Sequence, residues 1–359
     1  MRSEIELILL GCLVNRTKDE EERFDELLKA KQDWAFITGE LIRHRVNGNF
    51  YIGLNKEQRG YIVHKVKQCF NLLCNVYEAA NKLNLEFSQT MISKMNEAGI
   101  VTAGLKGMVF NTSLYPLGAR RSNDIDILVA EDDLRVFDNV MRELGFIQSM
   151  DGGRTEASKK EKLIQRMNYH DLVPYFKRID LPYQDCLKVD VNFHFDTKDH
   201  DITRAILNEG VQQYTGNGFS IQGLKWTTHL AHLCVHFYRE ASDSVWTSMA
   251  RDADLYKLVD VQNSLRMFSD EQLMEWCDTI KKFELNKQCY FTIYYLNLFY
   301  PTPIYEKIME KVKPDDLDFL TAVTVSGGDV RHRERDFFEQ TFDMNYGRDF
   351  TERNFKKAF

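Results

Sequence analysis

The feature that most constrains the fold is a pair of acids at the start of an apolar run. Residues 124–129 read DIDILV. In a β-strand, successive side chains point to opposite faces, so Asp124 and Asp126 share one face and the isoleucines share the other. Two neighbouring carboxylates repel each other unless a cation lies between them, and Mg²⁺ prefers such oxygen ligands. On the pair alone, the simpler interpretation is an exposed strand end with two solvated acids.

The segments before the pair favour a ligand site. Residues 100–110 predict a buried strand, a tight turn at Lys106 and Gly107, and the start of a helix. Glycine lets the backbone approach a ligand closely, and a helix N-terminus favours phosphate. The loop that follows contains Pro, Gly, Ser and Asn, and it brings Arg120 and Arg121 directly before the acids. The planar donor fork of arginine suits phosphate oxygens.

A later strand supplies a third acid. Residues 187–195 alternate between apolar side chains on one face and Lys188, Asp190, Asn192 and His194 on the other. We therefore expect Asp190 on a strand adjacent to the one that carries the acid pair.

This combination of a glycine turn, a basic loop and three acids resembles the nucleotidyltransferase superfamily with the DNA polymerase beta-like catalytic fold. More narrowly, it resembles the uncharacterised nucleotidyltransferase family of bacteria. The residues that match that family's motifs are Leu105, Lys106, Gly107, Arg120, Asp124, Asp126, Leu128 and Val129. The family's third strand usually reads acid-apolar-His-Trp, whereas this chain has Asn192 at the His position. The resemblance covers about residues 30–260 and is strongest between 104 and 130.

The resemblance implies an α+β fold. A polymerase beta-like module, with a small mixed sheet and helices, would be flanked by N-terminal helices and a C-terminal helical bundle. It also implies transfer of a nucleoside monophosphate from an NTP to a hydroxyl or amine with release of pyrophosphate, by a two-metal enzyme that depends on Mg²⁺ (or Mn²⁺). The implied catalytic and metal-binding residues are Asp124, Asp126 and Asp190, and the implied nucleotide-binding residues are Lys106, Gly107, Arg120, His232 and His236.

Two other functions stay open at this point. Asn192 in place of His, and Val235 where the family often has Lys, are compatible with a regulatory protein that binds nucleotide without turnover. His232, His236 and Glu240 share a helix face at a spacing that could hold zinc in a metal hydrolase. However, the HExxH pattern is absent, and the histidines could simply be partly buried and bonded to backbone. The nucleotide, the acceptor and the oligomeric state are left unspecified.

The composition of the chain restricts the class of acceptor and the location that we predict. The net charge of −7 and the pI near 5.8 disfavour a broad nucleic-acid surface, so the acceptor is predicted to be a small molecule or a protein. Seven cysteines without a CxxC pair predict buried, reduced thiols and a cytoplasmic location. The apolar stretch from Ile5 to Leu13 is too short to span a membrane and predicts a core helix.

Four regions are expected along the chain. They are an N-terminal helical region (1–95), the catalytic module (96–196), a helical domain (197–325) and a polar tail (326–359) with a hinge at Gly327 and Gly328. In the first region, helices are predicted from about Lys56 and again from Ser88. In the third, only helices are predicted, one of them spanning 248–261.

Overall fold

The computed structural model of the chain describes residues 2–181, 183–325, 328–343 and 345. These residues form two compact units. One contains the described parts of 1–46 and 230–359, and the other contains the described parts of 47–229. The sequence-based boundaries at 95/96, 196/197 and 325/326 stay predictions.

Helices account for most of the secondary structure of both units. The α-helices of the described residues are α1 (Ser3–Gly11), α2 (Lys18–Lys29), α3 (Trp34–Arg43), α4 (Asn47–Ile52), α5 (His64–Glu97), α6 (Gly107–Ser113), α7 (Leu134–Glu143), α8 (Lys159–Asn168), α9 (Thr203–Asn208), α10 (Trp226–Ala241), α11 (Ser244–Ser248), α12 (Leu255–Leu265), α13 (Asp270–Lys282), α14 (Asn286–Phe299), α15 (Pro303–Val312) and α16 (Phe337–Thr341). Short 3₁₀ turns lie at Gln58–Gly60, Glu131–Asp133 and Asp318–Leu320.

A seven-stranded mixed sheet forms the centre of the 47–229 unit. Its strands are β1 (Thr102–Gly104), β2 (Ile125–Val129), β3 (Ile147–Gln148), β4 (Tyr175–Leu181), β5 (Gln184–Asn192), β6 (Val211–Gly216) and β7 (Phe219–Leu224). Their order across the sheet is β3-β4-β5-β2-β1-β7-β6. The β2–β5 and β1–β7 pairs are parallel, and the others are antiparallel. The predicted α+β fold with a mixed sheet and flanking helices is therefore confirmed.

The buried face of the two central strands fixes where the acids lie. Ile125, Ile127, Val189 and Val191 are each 0% exposed and belong to one hydrophobic cluster with Phe137 of α7. Burying each such side chain stabilises the fold by roughly 1.5–3 kcal/mol. A shift of one residue in register would expose all of these apolar side chains, so their burial fixes the register of the two strands. The residues that alternate with them therefore lie on the opposite face of the sheet.

The β6–β7 hairpin corrects one prediction. It lies within residues 197–325, where only helices were expected, and it extends the sheet beside β1. Its turn is Asn217-Gly218, and both residues have positive φ, 51° and 83°. This is the backbone of a two-residue type I′ hairpin, for which Asn-Gly is the favoured sequence.

Two helix predictions were also wrong in detail. Residues 64–97 form one continuous helix of 34 residues, α5, instead of two helices starting near Lys56 and Ser88. The expected helix over 248–261 is two helices, α11 and α12, because Ala250 adopts a positive φ of 52° and interrupts the helical backbone between them. A capping box starts α2, in which the Thr17 hydroxyl accepts from the Glu20 N–H.

In its described residues, the other unit is helical apart from one two-stranded sheet, β8 (Ala322–Thr324) with β9 (Val330–His332). Its core contains Phe24 of α2, Trp276 of α13 and Phe291 of α14, all fully buried. The predicted core helix at Ile5–Leu13 is α1. Only part of the predicted polar tail, residues 328–343 and 345, belongs to the described residues, and Gly327 lies outside them. Its described part contains β9 and α16.

The cysteines and the helix lengths bear on two further predictions. All seven cysteines are free thiols, and five of them are buried, which agrees with the prediction of mostly buried, unpaired cysteines. Among the described residues, no helix is both long enough and apolar enough to cross a membrane.

Candidate active site

The three acids meet at the centre of the sheet. β2 and β5 run parallel, and their register places Asp126 directly opposite Asp190. Paired residues on neighbouring strands share a face, and neighbouring strands lie about 4.8 Å apart. Asp124 directly precedes β2, two residues before Asp126, and so belongs to the same face. We call Asp124, Asp126 and Asp190 the acid face.

Two lysines form ion pairs with the carboxylates of the acid face. Lys106 Nζ lies 2.8 Å from Asp126 Oδ1. Lys188 Nζ lies 2.6 Å from Asp190 Oδ2 and 3.6 Å from Asp124 Oδ2, so one ammonium serves two carboxylates. Sequence analysis placed Lys188 on the polar side of its strand but gave it no role.

Burial and mutual repulsion make these carboxylates hard to ionise. Burial raises the pKa of Asp126, and the neighbouring charge of Asp124 adds to the effect while Lys106 opposes it. For Asp190, burial and the charge of Asp124 raise the pKa to about 7. Burial lowers the pKa of Lys188, but the surrounding carboxylates outweigh it and leave that pKa raised, so Lys188 is a cation at neutral pH. A second cation at this face would favour the ionised carboxylates further.

The chain turns sharply between β1 and α6. Met108 N–H donates to the Leu105 carbonyl, which closes a β-turn with Lys106 as its first central residue. Lys106 has φ 44° and ψ −113°, a region that glycine favours and that type II′ turns require. The turn is also tied to β2, because Leu105 N–H donates to the Asp126 carbonyl at 3.0 Å. This backbone geometry brings the Lys106 ammonium to Asp126.

Gly107 is needed because the basic loop packs directly against it. A Cβ atom at Gly107 would lie 1.8 Å from Ser122 Oγ and 3.0 Å from Arg120 Nη1. Arg120 Nη1 in turn donates to Ser122 Oγ at 3.1 Å. The predicted glycine turn and the predicted basic loop are thus in contact.

The two loop arginines have different surroundings. Arg120 is 6% exposed, its guanidinium lies 5.3 Å from the Phe110 ring centroid, and its carbonyl accepts a hydrogen bond from Asn81. Arg121 is exposed and donates to Asn123 Oδ1 at 2.7 Å. A buried guanidinium is held in one direction, whereas an exposed one is screened by water.

A residue that sequence analysis missed also fixes the turn. His229, in the first turn of α10, is 4% exposed, and its Nε2 accepts a hydrogen bond from Lys106 N–H at 3.1 Å. Burial, with the nearby Arg120 guanidinium, lowers the pKa of His229 to about 3, so the imidazole is neutral and can accept at Nε2. Its ring also packs edge-on against Phe110. No local pattern marks this histidine, because its partner lies 123 residues away.

His232 and His236, predicted to bind nucleotide, belong to the part of α10 within the helical unit. His232 is 1% exposed, and His236 Nε2 lies 3.8 Å from Glu240 Oε1. Glu240 also pairs with the buried Lys257 ammonium. That ion pair neutralises the carboxylate that the zinc interpretation would need.

Among the described residues, no group of three His, Cys, Asp or Glu side chains forms a ready-made metal site. This holds for the acid face and for the α10 histidines alike. The donor chemistry of the acid face nevertheless fits a divalent cation. Asp190 Oδ1 is buried and has no hydrogen-bond partner among the described residues, while Asp190 and Asp124 converge on the ammonium of Lys188. Carboxylate oxygens of this kind are the ligands that Mg²⁺ and Mn²⁺ prefer.

Comparison with known proteins finds one family whose model matches most of the chain. The model of a family described as "Uncharacterised nucleotidyltransferase" matches residues 30–301. That range covers the acid face, the glycine turn, the basic loop and α10 through α14. A search of curated proteins finds no match to the chain.

Proposed function

The chain belongs to the uncharacterised nucleotidyltransferase family, and we propose that it moves a nucleoside monophosphate from an NTP to a hydroxyl or amine of a small molecule or protein. In this reaction the acceptor oxygen or nitrogen forms a bond to the α-phosphorus. The bond from that phosphorus to the bridging oxygen of the β-phosphate breaks, and pyrophosphate leaves with the electron pair. The acceptor loses one proton.

The observation that carries this proposal is the pairing of Asp126 with Asp190 across two parallel strands. It brings acids 64 positions apart in the sequence to one face, with Asp124 beside them. A solvated strand end would not require a third carboxylate on the next strand. Nor would it leave a buried carboxylate oxygen, Asp190 Oδ1, without a hydrogen-bond donor among the described residues.

Asp124, Asp126 and Asp190 would hold Mg²⁺ or Mn²⁺, which would supply positive charge at the attacking and leaving oxygens. Asp124 and Asp126 would hold two such ions together with the triphosphate, and Asp190 would help to hold the ion that serves the acceptor. The protein contributes rigidity, because buried neighbours on β2 and β5 fix both strands. With positioning and charge supplied in this way, a covalent enzyme nucleophile is not required.

Charge on the phosphates would be neutralised by Lys106 and Arg120. Lys106 already reaches the acid face, and Arg120 is buried against the same turn. A charge-assisted contact from a fixed guanidinium to phosphate is stronger than one from a mobile surface arginine, since less side-chain freedom is lost on binding. His232 and His236 are proposed as further nucleotide contacts on the family resemblance alone.

The net charge of −7 supports a small-molecule or protein acceptor over a polynucleotide, and a cytoplasmic location is proposed from the free thiols. The test is a screen of purified protein with each of the four NTPs and Mg²⁺ or Mn²⁺. Pyrophosphate release and label transfer from α-³²P-NTP are both measured.

Asp126→Asn serves as the inactive control in this screen. Metal-dependent pyrophosphate release that is lost in the control supports the proposal. Nucleotide binding without release under every condition would instead support the regulatory alternative that Asn192 suggests. Absence of binding to all four NTPs would overturn the proposal.

A further inference from the structure

Lys188 has a position that the proposed reaction does not yet use. It lies on β5 two residues before Asp190, and both side chains are on the same face of the strand. In the parallel register, Ile125 is opposite Val189, so Asp124 is the cross-strand neighbour of Lys188. The result is the bridge described above, with one ammonium between two carboxylates of the acid face.

The Lys188 bridge takes up the carboxylate oxygens that a metal would need. Asp190 Oδ2 binds Lys188 at 2.6 Å, and Asp124 Oδ2 lies 3.6 Å from the same nitrogen. A divalent cation bound by Asp124 and Asp190 would repel an ammonium at that position. The lysine stem has four carbons and free rotation, so the ammonium can move several ångströms without change in the backbone.

We propose that Lys188 is an exchangeable cation of this site: its ammonium holds Asp124 and Asp190 together in the metal-free protein, and it transfers to the phosphate oxygens of the nucleotide once those carboxylates bind metal. The inference rests on the proposed function. It assigns Lys188 two successive partners, a carboxylate pair and then a phosphate.

Two features support this assignment over a merely structural ion pair. The Lys188 side chain is 30% exposed, so it is not enclosed on all sides by the protein. The carboxylate that Lys188 binds through Oδ2 also has a buried oxygen, Asp190 Oδ1, without a hydrogen-bond partner among the described residues, so it has an oxygen left for a metal.

If Lys188 exchanges partners in this way, its removal should have opposite effects on the affinities for metal and for nucleotide. Removal of the ammonium in Lys188→Met frees the carboxylates from a competitor, so Mn²⁺ alone should bind about tenfold more tightly than to wild type. The same variant lacks the phosphate contact, so the α,β-methylene analogue of ATP with saturating Mn²⁺ should bind about tenfold more weakly. Lys188→Arg, which keeps the charge, should restore most of the nucleotide affinity.

The measurement is calorimetric titration of each ligand in mildly alkaline buffer, which keeps the carboxylates ionised. Lys177→Met is the matched control. Lys177 lies on the neighbouring strand β4 and donates to the Leu144 carbonyl instead of to a carboxylate. It should leave both affinities unchanged. Circular dichroism melting verifies that each variant is folded before titration.

Each outcome decides between the inference and the proposed function. Tighter Mn²⁺ binding together with weaker analogue binding in Lys188→Met supports the exchange. If both affinities fall, or neither changes, while wild type binds the analogue, the exchange is wrong and the proposed function stands. If wild type binds Mn²⁺ but binds no α,β-methylene analogue of any of the four NTPs, the proposed function fails and the nucleotide half of the inference fails with it.

Discussion

A Cβ atom on Gly107 would lie 1.8 Å from the Oγ atom of Ser122. The turn after β1 and the loop before β2 are therefore packed together with no room for even a methyl group. Both segments supply groups to the proposed phosphate site, Lys106 from the turn and Arg120 from the loop. The same Cβ atom would lie 3.0 Å from Arg120 Nη1, so the close packing includes the loop arginine itself.

Gly107→Ala should push the turn and the loop apart. We expect a loss of about 1–3 kcal/mol in the free energy of unfolding, as for overpacked sites, together with weaker nucleotide binding. Ser122→Gly in the same chain removes the nearest atom and should recover most of the stability. Gly60→Ala is the control, since a Cβ there meets nothing within 4 Å. Urea denaturation of the four proteins tests the contact. Without recovery in the double variant, Ser122 is not the atom that excludes alanine.

Asp126→Asn should abolish turnover without unfolding the protein. Because burial raises the pKa of Asp126, its ionised form is disfavoured in the folded state, so the neutral amide should melt at the same temperature as metal-free wild type or higher. Turnover should fall by roughly a hundred- to a thousandfold. Asp185→Asn, on β5 but paired with Arg178 at the surface, should have little effect. A near wild-type rate for Asp126→Asn would remove Asp126 from the metal site.

Asp190→Asn should separate chemistry from binding. Its carboxylate is proposed to hold the cation next to the acceptor, so the rate of the chemical step should fall further than the affinity for NTP. Single-turnover rates and the Kd of a non-hydrolysable NTP, measured on the same preparation, give the two quantities. Equal losses in rate and affinity would contradict this division of roles between Asp190 and the β2 acids.

Arg120→Ala should weaken NTP binding more than Arg121→Ala. One charge-assisted contact to phosphate is worth roughly 1.5–3 kcal/mol, or about ten- to a hundredfold in affinity. Each variant loses one positive charge, so the local net charge stays matched. Titration with a non-hydrolysable NTP and Mg²⁺ compares them. A larger loss for Arg121→Ala would show that the exposed arginine, instead of the buried one, faces the phosphates.

His229→Gln should reduce the loss of stability in acid. The folded pKa of about 3 lies below the ordinary value of 6.5, so neutral His229 contributes stability that is present above pH 6.5 and is lost as the pH falls toward 3. Between pH 7 and pH 5 this amounts to about 2 kcal/mol for wild type. Glutamine can still accept from Lys106 N–H but does not titrate. Urea denaturation at several pH values gives both curves, and parallel curves would mean that His229 does not control the acid response.

The acid face could be predicted because its information is local. The alternation of apolar and acidic residues in 124–129 and 187–195 defines which face each side chain takes, wherever the strands pair. The hairpin at Asn217-Gly218 also had a local signal, the Asn-Gly dipeptide. It was overlooked because the flanking strands contain Gly, Gln and Ser and lack a strong apolar alternation.

Other features could not be predicted from local patterns. The bond from Lys106 to His229 and the bridge from Lys188 to Asp124 join residues that are distant in the chain, and neither member carries a distinctive neighbourhood. The grouping of residues 1–46 with 230–359 is equally non-local, since it depends on which apolar helix faces match in three dimensions.

Lys106 has a backbone conformation that suits glycine better than lysine. Holding a lysine there lowers the stability of the protein by about 1–3 kcal/mol relative to an unstrained residue. Folding alone would therefore select glycine at this position, and only a benefit from the ammonium group can retain the lysine. If Lys106 has the proposed role, a lineage adapting to higher temperature would face opposing demands at this single codon, and it could accept glycine there only after another cation had replaced Lys106 in the proposed reaction.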